Sequence, residues 1–266
     1  MHNRIDNCFA RLRSEKRKGF IPYICAGDPS LAKTVDLALA LEKAGADLLE
    51  LGLPFSDPLA DGIVNQLAAQ RALAAGATVR GVFDCVRKIR KTSQIPIVLY
   101  SYLNPIFQFG LEKFHREAEA AGVDGLLVLD LPPEEDGGEA AAGGIATGNV
   151  LHIRLVAPTT LADRMAKIAA AAKGFLYYVS REGVTGAQKT ISSSLSEQVA
   201  QLRKLSGLPI AVGFGISNAQ QAREVARHAD AVVVGSAIVD LIAKHGSGSV
   251  EKVSVFARAI ADAIRR

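Results

Sequence analysis

The chain lacks the marks of several whole classes of protein. No stretch approaches the roughly 18 uncharged apolar residues that a membrane span needs, and residues 1–6 have no apolar core of a secretory signal. A cytoplasmic protein with no membrane partner is expected. No basic run interleaved with aromatics occurs and the net charge is only +4, so nucleic-acid binding has no footprint, although small anions remain welcome. Cysteine is scarce: Cys8, Cys25 and Cys85 are odd in number and far apart, with no Cys-x-x-Cys pair and no clustered histidines. That pattern offers no metal site and reads as reduced residues of a cytosolic protein. Cys25, which ends the first apolar run, either faces a site or packs as a small hydrophobe.

What is present suits a globular enzyme. The 266 residues are 49% hydrophobic and 22% charged, and one α/β barrel takes about 250 residues, so a single domain over 1–266 is expected. Eight short apolar runs bounded by Gly, Pro or Asp fall at 20–26, 47–53, 96–102, 125–131, 151–157, 175–180, 209–214 and 231–235. Helical stretches separate them, such as 30–44, entered at Pro29-Ser30 and ended at Gly45, and 218–228. Alternating β and α implies parallel strands with right-handed crossovers, and eight units close a (β/α)8 TIM barrel; a doubly wound open sheet is the alternative. Extra helices are expected before the first strand, after the second and at 249–266. Segment 136–148 holds Gly137, Gly138, Gly143, Gly144 and Gly148, and at about 1 kcal/mol per helical glycine it is expected to fray.

In such barrels the chemistry sits at the C-terminal ends of the strands. Asp28, Glu50, Asp61, Asn104, Asp130 and Ser180-Arg181 stand there. Glu50 interrupts an apolar strand, and burial should raise its pKa. Asp61 lies in a loop stiffened by Pro54 and Pro58, where it stays wet and ionised. Two carboxylates in two environments can play two roles; the bland alternative is a Glu satisfied by a neighbouring hydroxyl and an Asp capping the next helix. Asp130, before Pro132-Pro133, either braces its loop or takes part. Glycine turns at 183–186, 213–217 and 235–236 expose backbone amides near the last strands, where this fold binds phosphate at a helix N-terminus. The Gly-, Thr- and Ser-rich loop 181–194 reads as a lid, with a disordered insertion as the alternative.

These residues resemble one family across nearly the whole chain, the tryptophan synthase alpha subunits. The resemblance is carried by Pro-Tyr-Ile-Cys-Ala-Gly-Asp-Pro at 22–29, Glu-Leu-Gly-Leu-Pro-Phe-Ser-Asp-Pro-Leu-Ala-Asp-Gly at 50–62, Ser-Arg-Glu-Gly-Val-Thr-Gly at 180–186 and Gly-Phe-Gly-Ile-Ser at 213–217. It implies a barrel lyase that cleaves indole-3-glycerol phosphate to indole and glyceraldehyde 3-phosphate. No cofactor or metal of its own is implied; indole passes to a pyridoxal-phosphate beta subunit in an alpha2beta2 complex. By resemblance Glu50 is the proton shuttle and Asp61 the partner of the indole N–H. Phosphate lies on Gly186, Gly215, Gly235 and Ser236, and Tyr23, Tyr102, Tyr177 and Phe214 line the indole. Thr185 closes onto Asp61, while Pro54, Asp57, Asn104 and Pro105 meet the beta subunit. After Gly62 the family usually has proline and then an aliphatic pocket residue, where this chain has Ile63 and Asn65. The alternatives are a free-standing lyase, or a different phosphate-binding barrel such as an isomerase or a non-catalytic relative. A pure phosphate binder has no need of a buried Glu, so Glu50 with Asp61 discriminates.

Overall fold

A computed structural model describes residues 3–135, 148–179, 188–213 and 215–265, with the backbone alone at 188–194. The apolar runs form β1 (Gly19–Cys25), β2 (Leu49–Gly52), β3 (Ile97–Ser101), β4 (Gly125–Val128), β5 (Leu151–His152), β6 (Arg154–Val156), β7 (Leu176–Val179), β8 (Ile210–Gly213) and β9 (Ala231–Val234). Every pairing among the described residues is parallel. Among the described residues nine strands replace the eight expected, because the run 151–157 divides. Its first part pairs with β4 and its second with β7. The change of partner falls at Ile153, whose N–H still bonds the Leu126 carbonyl at 3.0 Å. Because one short run serves both edges, the order β5-β4-β3-β2-β1-β9-β8-β7-β6 closes into a barrel and the open-sheet alternative falls away.

Strand alternation sorts the apolar side chains into two layers. Leu37, Leu41, Leu49, Leu51, Ile97 and Leu99 pack between the outer barrel face and the helices. Ile21, Leu48, Val98, Leu127, Ile153, Phe175 and Ala231 point inward. Helix Arg4–Ser14 carries Ile5, Cys8, Phe9 and Leu12 on one face, the spacing of an amphipathic helix, and these residues join the inward cluster. That helix therefore plugs the N-terminal mouth. Asp47, Asp124 and Asp230 sit just before or at strand starts and accept the backbone N–H of Phe20, Ile97 and Ile210 at 3.1, 2.8 and 2.9 Å. Arg11 and Arg17 pair with Asp47, Arg4 and Arg90 with Asp124, and Arg203 with Asp230. This end of the barrel is pinned, and the opposite end is left to form a cavity.

Helix Leu31–Ala44 opens at Ser30, whose side chain accepts from the Lys33 N–H, and stops at Gly45 as its sequence signals require. Helices Ala219–Ala226, Ile63–Ala74 and Ser249–Arg265 stand where the pattern places them. The segment 181–194 needs a correction. Helix Gln188–Leu205 already covers its last seven positions, because Leu195, Val199 and Leu202 of the same helix are buried against β6 to β8 and tertiary packing overrides weak serine propensity. Residues 180–187 lie outside the described residues, as do 136–147, where fraying was expected. All three cysteines are buried and unpaired. Cys25 packs with Tyr23, Ala68, Ala69 and Ala72, and burial pushes its thiol well up, which marks an inert packing residue.

Candidate active site

Alternation along β2 turns Glu50 inward, and the register sets it beside Tyr23 of β1 and Val98 of β3. Only 2% of the residue is exposed. Burial, with the Asp61 charge adding to it, pushes the carboxyl up to about 8. Among the described residues no donor bonds it. The expectation of a buried Glu with a raised pKa therefore holds, and Glu50 carries its proton at neutral pH.

Asp61 is half-buried and held from three sides. The Tyr100 hydroxyl donates to Oδ1 at 2.7 Å, Asn65 Nδ2 to the same oxygen at 3.3 Å, and the Tyr102 hydroxyl to Oδ2 at 2.9 Å. Tyr102 also accepts from the Ala60 N–H at 3.0 Å and its ring meets Phe55 at 5.4 Å. One tyrosine thus ties down the loop that delivers the carboxylate.

Both carboxyls open onto a cavity of about 480 Å3, lined also by Tyr23, Ile63, Asn65, Tyr100, Tyr177, Gly215, Gly235 and Ser236. Burial raises the phenols of Tyr23, Tyr100 and Tyr177, so all are neutral donors. A Cβ on Gly213 would lie 2.6 Å from the Tyr177 hydroxyl, so that strand end must be glycine. Helix Ser236–His245 begins at the cavity wall, and its positive end faces any anion there. Larger hollows of about 830 and 600 Å3 lie on the surface beside Lys33 and Arg258 and at the N-terminal mouth beside Arg4 and Arg11. Neither holds carboxyls of contrasting environment at strand C-termini, so the smaller cavity is the functional candidate.

Of the residues singled out from sequence, Glu50, Asp61, Tyr23, Tyr177, Gly215, Gly235 and Ser236 converge on this cavity. Tyr102 does not line it. The strand ends at Ser101, and Tyr102 occupies the cap position of helix Leu103–Phe109, from which its hydroxyl reaches Asp61. Thr185, Gly186 and Phe214 lie outside the described residues. Asp57 and Asn104 are exposed, Pro105 is half-buried and Pro54 is buried. Asp28 is turned away, locked to Arg71 at 2.9 and 2.7 Å. Asp130 accepts the Leu103 N–H at 2.7 Å, the bracing role. Sequence reasoning missed Tyr100. The signal was available, because Tyr100 shares the inward face of β3 with Val98 and pairs with Gly52, one inward position beyond Glu50. Among the described residues no group of three or more metal-ligating side chains occurs, and no helix is long and apolar enough to cross a membrane.

Known proteins match this chain over nearly its whole length. The family described as "Tryptophan synthase alpha chain" matches residues 9–265. A tryptophan synthase alpha chain of Opitutus terrae is 52% identical over 259 residues, covering 97% of this chain and 96% of that protein. One from Geobacter sulfurreducens is 47% identical, covering 98% and 99%. The crystal structure of tryptophan synthase subunit alpha from Legionella pneumophila superposes with a TM-score of 0.90 at 39% identity, covering 99% of both chains. A chain from the tryptophan synthase a2b2 complex of Pyrococcus furiosus superposes with a TM-score of 0.84 at 36% identity, covering 92% of this chain and 98% of that one.

Proposed function

The chain belongs to the tryptophan synthase alpha chain family, and from that premise we propose which of its residues carry the alpha reaction. The reaction is the retro-aldol cleavage of indole-3-glycerol phosphate to indole and glyceraldehyde 3-phosphate in tryptophan biosynthesis, performed with a beta subunit in an alpha2beta2 complex. One observation carries the assignment: a buried Glu50 with its pKa raised to about 8 shares a cavity with an Asp61 fixed by phenols.

The substrate phosphate sits on the amides of Gly215, Gly235 and Gly186 and on the Ser236 hydroxyl, where the helix end supports its charge. The indole lies among Tyr23, Tyr177 and Phe214, with its N–H on Asp61. Protonated Glu50 first delivers its proton to the ring carbon that bears the side chain. The positive charge spreads onto the ring nitrogen, where the Asp61 carboxylate stabilises it more than in the ground state. The Glu50 carboxylate then takes the proton of the adjacent side-chain hydroxyl as the carbon–carbon bond breaks, which releases indole and the aldehyde and restores the acid. A Glu with a pKa near 8 suits both halves of the cycle, since it is neither too weak an acid nor too weak a base near neutral pH.

We further propose a single barrel domain, a cytoplasmic location, no cofactor on this chain with pyridoxal phosphate confined to the beta subunit, and a lid through Thr185. Asp57, Asn104 and Pro105 form part of the docking surface, and Pro54 shapes the loop beneath it. The test is to mix the purified chain with indole-3-glycerol phosphate, with and without a beta subunit, and to follow indole. Stoichiometric indole and glyceraldehyde 3-phosphate support the assignment; isomerised substrate, or none consumed, would refute it.

A further inference from the structure

Asp61 must do more than be present, because its acceptor sites are nearly all taken. A carboxylate offers about four lone-pair positions. Tyr100 and Asn65 occupy Oδ1, and Tyr102 occupies one side of Oδ2. We infer that Tyr100 and Asn65 are positioning residues that saturate Oδ1 of Asp61 and leave the free position of Oδ2 as the acceptor for the substrate's ring N–H. This rests on the assignment of Asp61 above and adds to it which oxygen acts and what holds it there.

Three observations support the inference. Both donors come from outside the loop that carries Asp61: Tyr100 is on β3 and Asn65 is in helix Ile63–Ala74. Rigid elements therefore fix a loop carboxylate, the arrangement that gives precise geometry before substrate arrives. Tyr100 is itself held, half-buried with its ring edge-to-face on Tyr23 at 5.1 Å and 66°, which aims its hydroxyl at Asp61. And both residues line the cavity, where an apolar side chain in either place would remove one of the two donors on Oδ1 and loosen the aim of the carboxylate.

The test is kinetic, on the complex with a beta subunit, using Tyr100→Phe, Asn65→Leu, Asp61→Asn and the combined Tyr100→Phe/Asp61→Asn chain. Phe keeps the ring and removes only the hydroxyl. Each single change at 100 or 65 should lower kcat by about tenfold, the size of one hydrogen bond to a charged group, with KM changed less than about twofold. Thermal stability should stay near that of the parent chain. In the Asp61→Asn background the Tyr100→Phe penalty should vanish, because the oxygen it positions is no longer a carboxylate. Where that double chain turns over too slowly for a steady-state reading, single-turnover indole release with the complex in excess replaces kcat: Tyr100→Phe should slow it about tenfold with Asp61 present and leave it unchanged with Asn. Equal penalties in both backgrounds, or full kcat in Tyr100→Phe, would overturn the inference. Full activity in Asp61→Asn would instead overturn the assignment of Asp61 on which it rests.

Discussion

Replacing Glu50 by Gln should abolish indole release and, at the same time, make the protein more stable at neutral and alkaline pH. The stability gain follows from the proton. The carboxyl ionises at about 4.5 in the unfolded chain and at about 8 in the folded one, because burial beside Asp61 disfavours the charge. Below pH 4.5 it is protonated in both states and adds no pH dependence. Between 4.5 and 8 the unfolded chain gives up the proton while the folded chain keeps it, so stability falls as pH rises; above 8 the loss is complete. At about 1.4 kcal/mol per pH unit, the parent chain forgoes on the order of 3 kcal/mol at pH 7. Glutamine has no such term. Burying its amide adds a constant offset, so the quantity to read is the change in the difference between variant and parent with pH. For a chain of this size that amounts to a melting difference growing by about 5–10 °C from pH 5 to pH 7 and levelling off above pH 8. Thermal unfolding of both proteins at pH 5, 6, 7, 8 and 9 measures it directly. A difference that stays flat with pH would mean that Glu50 is not a buried acid and would refute the reasoning.

Further predictions follow the same chemistry. The rate at low substrate should fall above about pH 8, as Glu50 loses the proton it must deliver first; a profile level to pH 9.5 would contradict that role. Gly235→Val should raise the substrate KM far more than it alters folding, because a Cβ there meets nothing closer than Tyr23 Cβ at 3.4 Å while the longer side chain fills the anion site. Gly215 is the poorer test, since its φ of +71° strains any other residue. Burial beside His152 lowers the His115 pKa to about 4, so the unfolded chain protonates first and stability should decline as pH falls from about 6.5 to 4. His115→Gln should lose that dependence in acid unfolding. A beta subunit should raise indole release at least about tenfold by favouring a closed site, and Asp57→Ala should reduce that rise more than the basal rate. Equal rates with and without partner would point to a free-standing lyase.

The barrel was legible because each strand is an apolar run with its own punctuation, and Glu50 was legible because a carboxylate inside such a run has no packing purpose. What escaped was relational. The run 151–157 has nothing in its composition to say that it serves two neighbours, since the partner change at Ile153 is set by barrel closure. Helix Leu103–Phe109 is too short, and holds Pro105 too near its start, for periodicity to reveal it. Its presence turned Tyr102 from a wall residue into the clamp of the Asp61 loop. Tyr100 was overlooked because a tyrosine in a strand reads as barrel filling: alternation puts it on the inward face, but its task shows in the hydroxyl's 2.7 Å approach to Asp61.

The most direct test of the central claim is a single-turnover measurement of indole release from indole-3-glycerol phosphate by the complex, comparing the parent chain with Glu50→Gln. The parent chain should give a burst of indole and the variant a loss of at least about 10²-fold, with phosphate-dependent substrate binding retained. Near-normal release from Glu50→Gln would contradict it.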